Sequence, residues 1–101
     1  MSAENKYLEK LKQLTLSVLA GEKVKIVLFG SRGRRDNRPA SDVDIGLIPD
    51  GKLDRNKLLL LKEKIEDLNL PYKVEVVDFS QTSEDFKEEA LKGAIVWKDY
   101  N

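Results

Sequence analysis

The sequence predicts an α/β (α+β) domain in which a small mixed β-sheet packs against helices. Three observations support this fold class. Apolar residues recur at helical spacing in the first twenty positions, short β-branched runs follow, and further helical patterns alternate with those runs. The 101-residue chain contains no internal repeat and no Pro/Gly/Ser linker. We therefore expect a single domain over residues 1–101.

The first half of the chain predicts a helix followed by a buried strand. The helix spans Ala3–Ala20 and ends at Gly21, and its apolar positions are Leu8, Leu11, Leu14 and Val18. The continuous apolar run Val24–Phe29 ends at Gly30 and predicts a strand that is buried on both faces. The polar stretch 31–41 predicts a turn or short helix and then a loop.

The second half predicts two more strands and two more helices. Asp42–Ile48 alternates carboxylate and aliphatic residues, which is typical of a strand, and Val74–Phe79 predicts the third strand. Between them, Asp54 can cap a helix whose apolar positions are Leu58, Leu61, Ile65 and Leu68. The last predicted features are a helix capped by Thr82 or Ser83 that runs to about Lys92 and buries Phe86, Ala90 and Leu91, then Gly93, then an apolar tail Ala94–Trp97.

Composition limits the chemistry available to this chain. It has no cysteine and no histidine, which excludes disulfides, thiolate or imidazole metal ligands and histidine-based acid–base catalysis. Residues 1–38 carry nine basic and four acidic side chains, whereas residues 39–101 carry nine basic and fourteen acidic ones. Such a division is typical of solvated surface or of an anion site beside a metal site. The polar N-terminus and the absence of a long apolar run predict a cytoplasmic protein without a membrane span.

Two carboxylates are the strongest candidates for chemistry. Asp42 and Asp44 are two residues apart on a predicted strand, so both side chains leave the same face. Carboxylates held this close repel each other unless a cation lies between them, and oxygen ligands of this kind suit Mg²⁺. An isolated pair of this type is more often two exposed aspartates. Gly30-Ser31, which follows a buried strand, adds a second feature, because glycine admits a ligand close to the backbone and serine can hold phosphate oxygens.

Together these residues read Gly30-Ser31, a spacer of ten residues, and then Asp42-Val43-Asp44. The pattern resembles the signature of the DNA polymerase β-like nucleotidyltransferase superfamily. The segment FGSRGRRDNRPASDVDIGLI looks most like the minimal nucleotidyltransferases, the MNT group. This resemblance implies the polymerase β-like fold and nucleotidyl transfer from ATP, assisted by two Mg²⁺ ions. In the family a third carboxylate comes from a later strand, which here implies Glu75, with Asp78 as the alternative.

The resemblance also implies a role for each site residue. Asp42 and Asp44 would hold the metal ions, Glu75 would ligate one of them and help deprotonate the acceptor, and Gly30 and Ser31 would hold the terminal phosphates. Arg32 and Arg34 match arginines that often follow the Gly-Ser pair in this group and can contact phosphates or an acidic partner. Arg35 and Arg38 are better explained as solvated loop residues. Gly33 and Arg35 depart from the usual Gly-Ser-Arg-Ala-Arg-Gly wording, which leaves the loop shape open.

A bare nucleotidyltransferase module lacks a domain that binds the acceptor, so we expect a partner. MNT proteins that resemble this chain pair with helical HEPN-domain toxins, which implies an antitoxin that transfers AMP to a tyrosine of such a partner. A non-catalytic module that neutralises the partner by binding alone is the alternative. Surplus leucines in Leu58–Leu61 offer a surface for a partner, a homo-oligomer stays open, and direct binding of DNA is not expected.

Overall fold

The computed structural model of the protein describes residues 3–29 and 43–100. Three helices and four strands lie in these ranges, with a single 3-10 turn at Phe79–Gln81. In chain order they are α1 Ala3–Val18, β1 Val24–Phe29, β2 Val43–Pro49, α2 Arg55–Asp67, β3 Val74–Asp78, α3 Glu84–Leu91 and β4 Ile95–Lys98. Among the described residues, no helix is both long and apolar enough to cross a membrane.

The four strands form one mixed sheet in the order β3-β2-β1-β4. Strand β1 is antiparallel to both β2 and β4, whereas β2 and β3 run parallel. Parallel neighbours need a crossover connection, and α2 supplies it between β2 and β3. The predicted mixed sheet with helices is therefore confirmed. The sequence did not predict β4. Its residues, Ile95–Lys98, show no alternation of apolar and polar side chains, so this segment was expected to be an apolar tail.

One face of the sheet, which we call the helix-covered face, packs against α1 and α2. Its strand residues, the helix leucines and Ile65 form a continuous buried core. The members are Leu11, Leu19, Val24, Ile26, Leu28, Val43, Ile45, Leu47, Leu53, Leu58, Leu61 and Ile65. Three of the four apolar positions predicted for α2 lie in this core, while Leu68 forms the C-cap of the helix.

The opposite face, which we call the aromatic face, carries a smaller core of Val27, Phe29 and Phe79. Phe86 of α3 contacts both rings, with centroid distances of 6.4 Å to Phe29 and 6.0 Å to Phe79. The predicted burial of Phe86 was nevertheless wrong, because its side chain is 46% exposed and α3 buries no residue. The short helix lies over the rings from outside, which leaves the outer side of Phe86 in water.

The helix ends follow capping chemistry. Helix α1 ends at Val18 and passes into a turn, where Gly21 adopts a φ of +90°, a conformation that costs glycine little. The predicted cap Asp54 is confirmed, since its carboxylate accepts hydrogen bonds from the backbone N–H groups of Asn56 and Lys57 at 2.9 and 3.4 Å. At α3 the choice between two caps falls to Ser83, whose hydroxyl accepts from the Phe86 N–H at 3.1 Å.

Candidate active site on the aromatic face

Asp44 lies near the start of β2 and belongs to the aromatic face. Its neighbours in the strand, Val43 and Ile45, are fully buried on the helix-covered face, so alternation directs Asp44 to the other side. Across the sheet it is paired with Phe29, the last residue of β1. The side chain is half-buried. This position puts a carboxylate beside the point where the chain leaves β1.

Glu75 lies beside Asp44 on the neighbouring strand. The parallel register pairs Asp44 directly with Glu75, and paired residues of adjacent strands share a face. Because neighbouring strands are about 4.8 Å apart, the two carboxylates start from adjacent backbone positions. The Glu75 side chain is 48% exposed and forms an ion pair with Lys73 at 3.3 Å. The register thus brings together one residue of the Asp-x-Asp motif and the carboxylate expected from a later strand.

Asp78 is on the other face of the same strand and is already bonded within the fold. One carboxylate oxygen accepts from the N–H of Ser80 at 2.9 Å and from its hydroxyl at 2.7 Å. The other lies 3.1 Å from a guanidinium nitrogen of Arg55, at the start of α2. With its side chain 6% exposed, Asp78 joins the end of β3 to the turn that follows and to α2. The geometry therefore favours Glu75 over Asp78 as the partner of Asp44.

Gly46, two residues beyond Asp44 in β2, allows the ring of Phe79 to approach the strand closely. An added Cβ at this position would overlap the ring of Phe79 and lie 3.0 Å from Cγ2 of Val27. Phe79 is held in turn by Phe29, at a centroid distance of 5.2 Å. Sequence reasoning did not single out this packing. The signal was present, because a glycine inside an otherwise aliphatic strand often marks a close approach.

The remaining predicted site residues lie outside the described residues. They are Gly30, Ser31, Arg32, Arg34 and Asp42, together with the departures at Gly33 and Arg35. Their segment connects Phe29 to Val43, and the register places these two ends of the described chain on adjacent strands, at the same end of the sheet as Asp44. The candidate site is thus the corner where β1 ends and β2 begins, with Glu75 beside it on β3.

The described part of this corner fits a hard divalent cation. Its donor groups are carboxylate oxygens, which Mg²⁺ prefers, and the exposure of Glu75 leaves room for water and phosphate ligands. Among the described residues no group of three or more acidic side chains is assembled for a metal. Asp44 and Glu75 supply two carboxylates, and Asp42, outside the described ranges, is the expected third.

Comparisons with known proteins identify the family of the chain. The domain family described as "Polymerase beta, Nucleotidyltransferase" matches residues 9–100 of the chain. The "Probable protein adenylyltransferase MntA" of Haemophilus influenzae is 37% identical over 68 residues, which are 67% of this chain and 60% of that protein. The match therefore spans less than two thirds of the length of this relative.

Solved structures share the fold. A toxin–antitoxin complex crystallised with AMP-PNP superposes with a TM-score of 0.65 at 21% identity, covering 87% of this chain and 73% of that one. The complex of a tri-AMPylated Shewanella oneidensis HEPN toxin with MNT antitoxin gives 0.62 at 19% identity, covering 90% and 71%. At these identities the likeness concerns the fold alone. Since the family match covers nearly the whole chain, this protein belongs to the polymerase beta nucleotidyltransferase family.

Proposed function

We propose that this protein is an Mg²⁺-dependent nucleotidyltransferase that moves AMP from ATP to a tyrosine hydroxyl of a HEPN-type toxin and thereby acts as its antitoxin. The observation that carries the proposal is the parallel register of β2 and β3, which pairs Asp44 with Glu75 on one face. This pair lies at the corner where the Gly30-Ser31 segment leaves β1. Nucleotidyl transfer requires carboxylates that hold Mg²⁺ beside the bound phosphates, and Gly30-Ser31 is the segment proposed to bind those phosphates.

In this proposal the carboxylates bind the metal, and one of them also accepts the proton of the acceptor hydroxyl. Bound Mg²⁺ would neutralise charge on the triphosphate, and Asp42, Asp44 and Glu75 would hold it. The acceptor oxygen forms a bond to the α-phosphorus while the bond from that phosphorus to the bridging oxygen breaks, and pyrophosphate leaves. The hydroxyl proton passes to the Glu75 carboxylate, which is exposed enough to meet an incoming side chain.

The proposal for nucleotide and partner draws on the relatives. One similar complex was crystallised with AMP-PNP, an ATP analogue, and another contains an AMPylated HEPN toxin. The related Haemophilus protein is named as a protein adenylyltransferase. All three names concern adenylyl transfer or its nucleotide, and they support the choice of ATP and of a HEPN-type partner in this proposal. The proposal also places the reaction in the cytoplasm, where ATP and the toxin would meet.

The direct test incubates the protein with labelled ATP, Mg²⁺ and the HEPN-type protein of the adjacent reading frame. We expect label on a tyrosine of the partner, located by mass spectrometry. Asp42→Asn should lower the rate about a thousandfold, because a lost metal ligand costs several kcal/mol of transition-state stabilisation. Asp50→Asn is the matched control: it makes the same change at the exposed turn beyond the other end of β2 and should leave the rate unchanged.

Two outcomes would contradict the proposal. One is an absence of label together with Asp42→Asn protecting cells as well as the wild type does. The other is complete neutralisation of the partner in EDTA without nucleotide, measured as lost toxin activity alongside calorimetric binding. Either result would favour the alternative function, a non-catalytic module that neutralises its partner by forming a complex.

A further inference from the structure

Strand β3 forms one open edge of the sheet. It is the outermost strand in the order β3-β2-β1-β4, and no described strand pairs with its outer side. The backbone N–H of Val43 donates to the Lys73 carbonyl at 2.9 Å. Because hydrogen bonding alternates along a parallel pair, Glu75 and Val77 then face β2, whereas Val74 and Val76 direct their N–H and C=O groups outward. The backbone N–H and C=O groups of these two residues are therefore available to a further strand at this edge.

A groove accompanies this edge on the side of α2. One cavity of about 350 Å³ is lined by Lys62, Ile65, Glu66, Val74, Glu75 and Val76. A second of about 400 Å³ continues it towards the start of the strand and shares Ile65, Glu66 and Val74 with the first. The lining combines aliphatic side chains, among them Ile65, Val74 and Val76, with charged ones from two lysines and two glutamates. An extended segment lying on β3 would find a place for an apolar side chain here.

We propose that the acceptor segment of the partner binds as an added strand along the β3 edge. This inference rests on the proposed function and specifies how the tyrosine reaches the site. Successive side chains of an added strand point to opposite faces, so one enters the groove beside Ile65 and the next lies on the aromatic face. Directly opposite side chains on neighbouring strands are about 5 Å apart at Cβ. A tyrosine placed opposite Glu75 therefore starts next to the carboxylate that would receive its proton.

The exposed apolar surfaces of β4 and α2 do not adjoin Glu75. At the opposite edge, Ile95 and Val96 of β4 are 52% and 50% exposed. A strand added beyond β4 would lie three strand spacings from β2, which is about 14 Å from Asp44. Leu59 and Leu60 of α2 are 60% and 42% exposed, but they belong to the helix on the helix-covered face. Of the described surfaces, the β3 edge is the one adjacent to Glu75.

The first test measures amide hydrogen exchange residue by residue with and without the HEPN-type partner. We expect the Val74 and Val76 amides to exchange at least tenfold more slowly in the complex, because added-strand carbonyls accept their protons. Val96 is the internal control. It is opposite Val27 of β1, whose N–H and C=O groups face β2 because the pair Lys23–Asp50 is hydrogen-bonded, so the Val96 amide points outward from the far edge and should not change. Protection of Val96 alone, or of neither edge, would overturn the inference. Protection that already appears in the protein alone and grows with its concentration would assign the edge to a second copy of the chain.

The second test removes only the outward donor. Proline is tolerated on an edge strand where the N–H faces away from the sheet, so Val76→Pro deletes one hydrogen bond to an added strand. We expect the KM for the partner to rise about tenfold while AMP-PNP affinity stays within twofold. Val96→Pro makes the same change on β4 and should leave both unchanged. Val74→Pro, at the first position of β3, repeats the test where proline disturbs packing least, and a thermal melt verifies folding.

An unchanged KM in both β3 variants, or an equal rise in Val96→Pro, would overturn the inference. Failure of the proposed function gives a different pattern. If the wild-type protein transfers no AMP but its Val74 and Val76 amides are protected in the complex, the proposed enzymatic function is contradicted. The β3 edge then remains the binding site of the partner.

Discussion

Two acidic residues of β3 have opposite surroundings although only three positions separate them. Glu75 lies on the aromatic face beside Asp44, with its side chain 48% exposed and in an ion pair with Lys73, whose side chain is 68% exposed. Asp78 lies on the helix-covered face, 6% exposed, with one oxygen bonded to Ser80 and the other beside Arg55. Their odd separation is the cause, because residues three apart on a strand face opposite sides.

The comparison separates an acid that can react from an acid that holds the fold. The Asp78 carboxylate accepts two hydrogen bonds at Oδ1 and lies in an ion pair at Oδ2, and it would weaken these contacts in order to bind a metal or a proton. A half-exposed carboxylate next to a second one gains from a bound cation instead. On this argument Glu75 is suited to chemistry, whereas Asp78 fixes the junction of β3, the 3-10 turn and α2.

Neutralising each acid without changing its shape tests directly whether the two carboxylates have different roles. Glu75→Gln should lower kcat for AMP transfer about a hundredfold, the smaller end of what a general base contributes. Its stability should change by less than about 0.5 kcal/mol, since the lost ion pair is exposed on both sides. Asp78→Asn should show the reverse: kcat within about threefold of wild type, and a loss of about 1–2 kcal/mol from weakened charge-assisted bonds.

Both variants are measured by AMP-transfer kinetics and by urea unfolding on the same preparations. The kinetics are run well below the melting temperature of Asp78→Asn, so that unfolding does not mimic a catalytic loss. If Asp78→Asn lost activity while Glu75→Gln kept it, the third carboxylate would be Asp78 and the assignment from register would be wrong.

Most of the fold could be predicted because its signals are local. The buried run Val24–Phe29 is observed with the predicted bounds, and Asp54 caps α2 as its side chain and position predict. Strand β4 could not be predicted, because it becomes a strand only by pairing with β1, and its own four residues carry no alternation. Phe86 was misjudged for a similar reason: periodicity tells which way a helix residue points and not how much of it the neighbouring layer covers.

The sequence predicts the kind of chemistry proposed for the candidate site, but it does not show which carboxylates lie side by side. The Gly30-Ser31 and Asp42-Val43-Asp44 pattern suggested phosphate and metal chemistry from the sequence alone. The sequence favoured Glu75 with Asp78 as the alternative, and the register of β2 and β3 adds that Glu75 is paired directly with Asp44. The contact between Gly46 and Phe79 joins residues from two elements, so no local pattern contains it.

Gly46→Ala tests whether the aromatic face depends on that contact. The added methyl group would overlap the Phe79 ring, which is 4% exposed and held against Phe29. We expect a loss of about 1–3 kcal/mol in the free energy of unfolding, the usual cost of overpacking. Calorimetric or urea unfolding measures it. The helix-covered core should keep its protected amides, because Gly46 points away from it.

The control is the double variant Gly46→Ala/Phe79→Leu. A leucine leaves space above position 46, so the double variant should be more stable than the sum of the two single losses predicts, by about 1 kcal/mol. Strict additivity of the two losses would mean that alanine at position 46 is destabilising for a reason other than overlap with the Phe79 ring.

The smallest effect concerns Arg55, the residue that most directly links Asp78 to α2. Its guanidinium lies 3.1 Å from the Asp78 carboxylate but is 55% exposed, so water screens much of the attraction. Arg55→Ala should therefore cost only about 0.5 kcal/mol, less than Asp78→Asn, because Asp78 keeps both bonds to Ser80. The cycle with Asp78→Asn should give a coupling of the same size, and the AMP-transfer rate should not change. A coupling above about 2 kcal/mol would mean that the ion pair behaves as a buried one. Asp78 would then contribute to the free energy of unfolding mainly through Arg55 of α2 and not through its hydrogen bonds to Ser80.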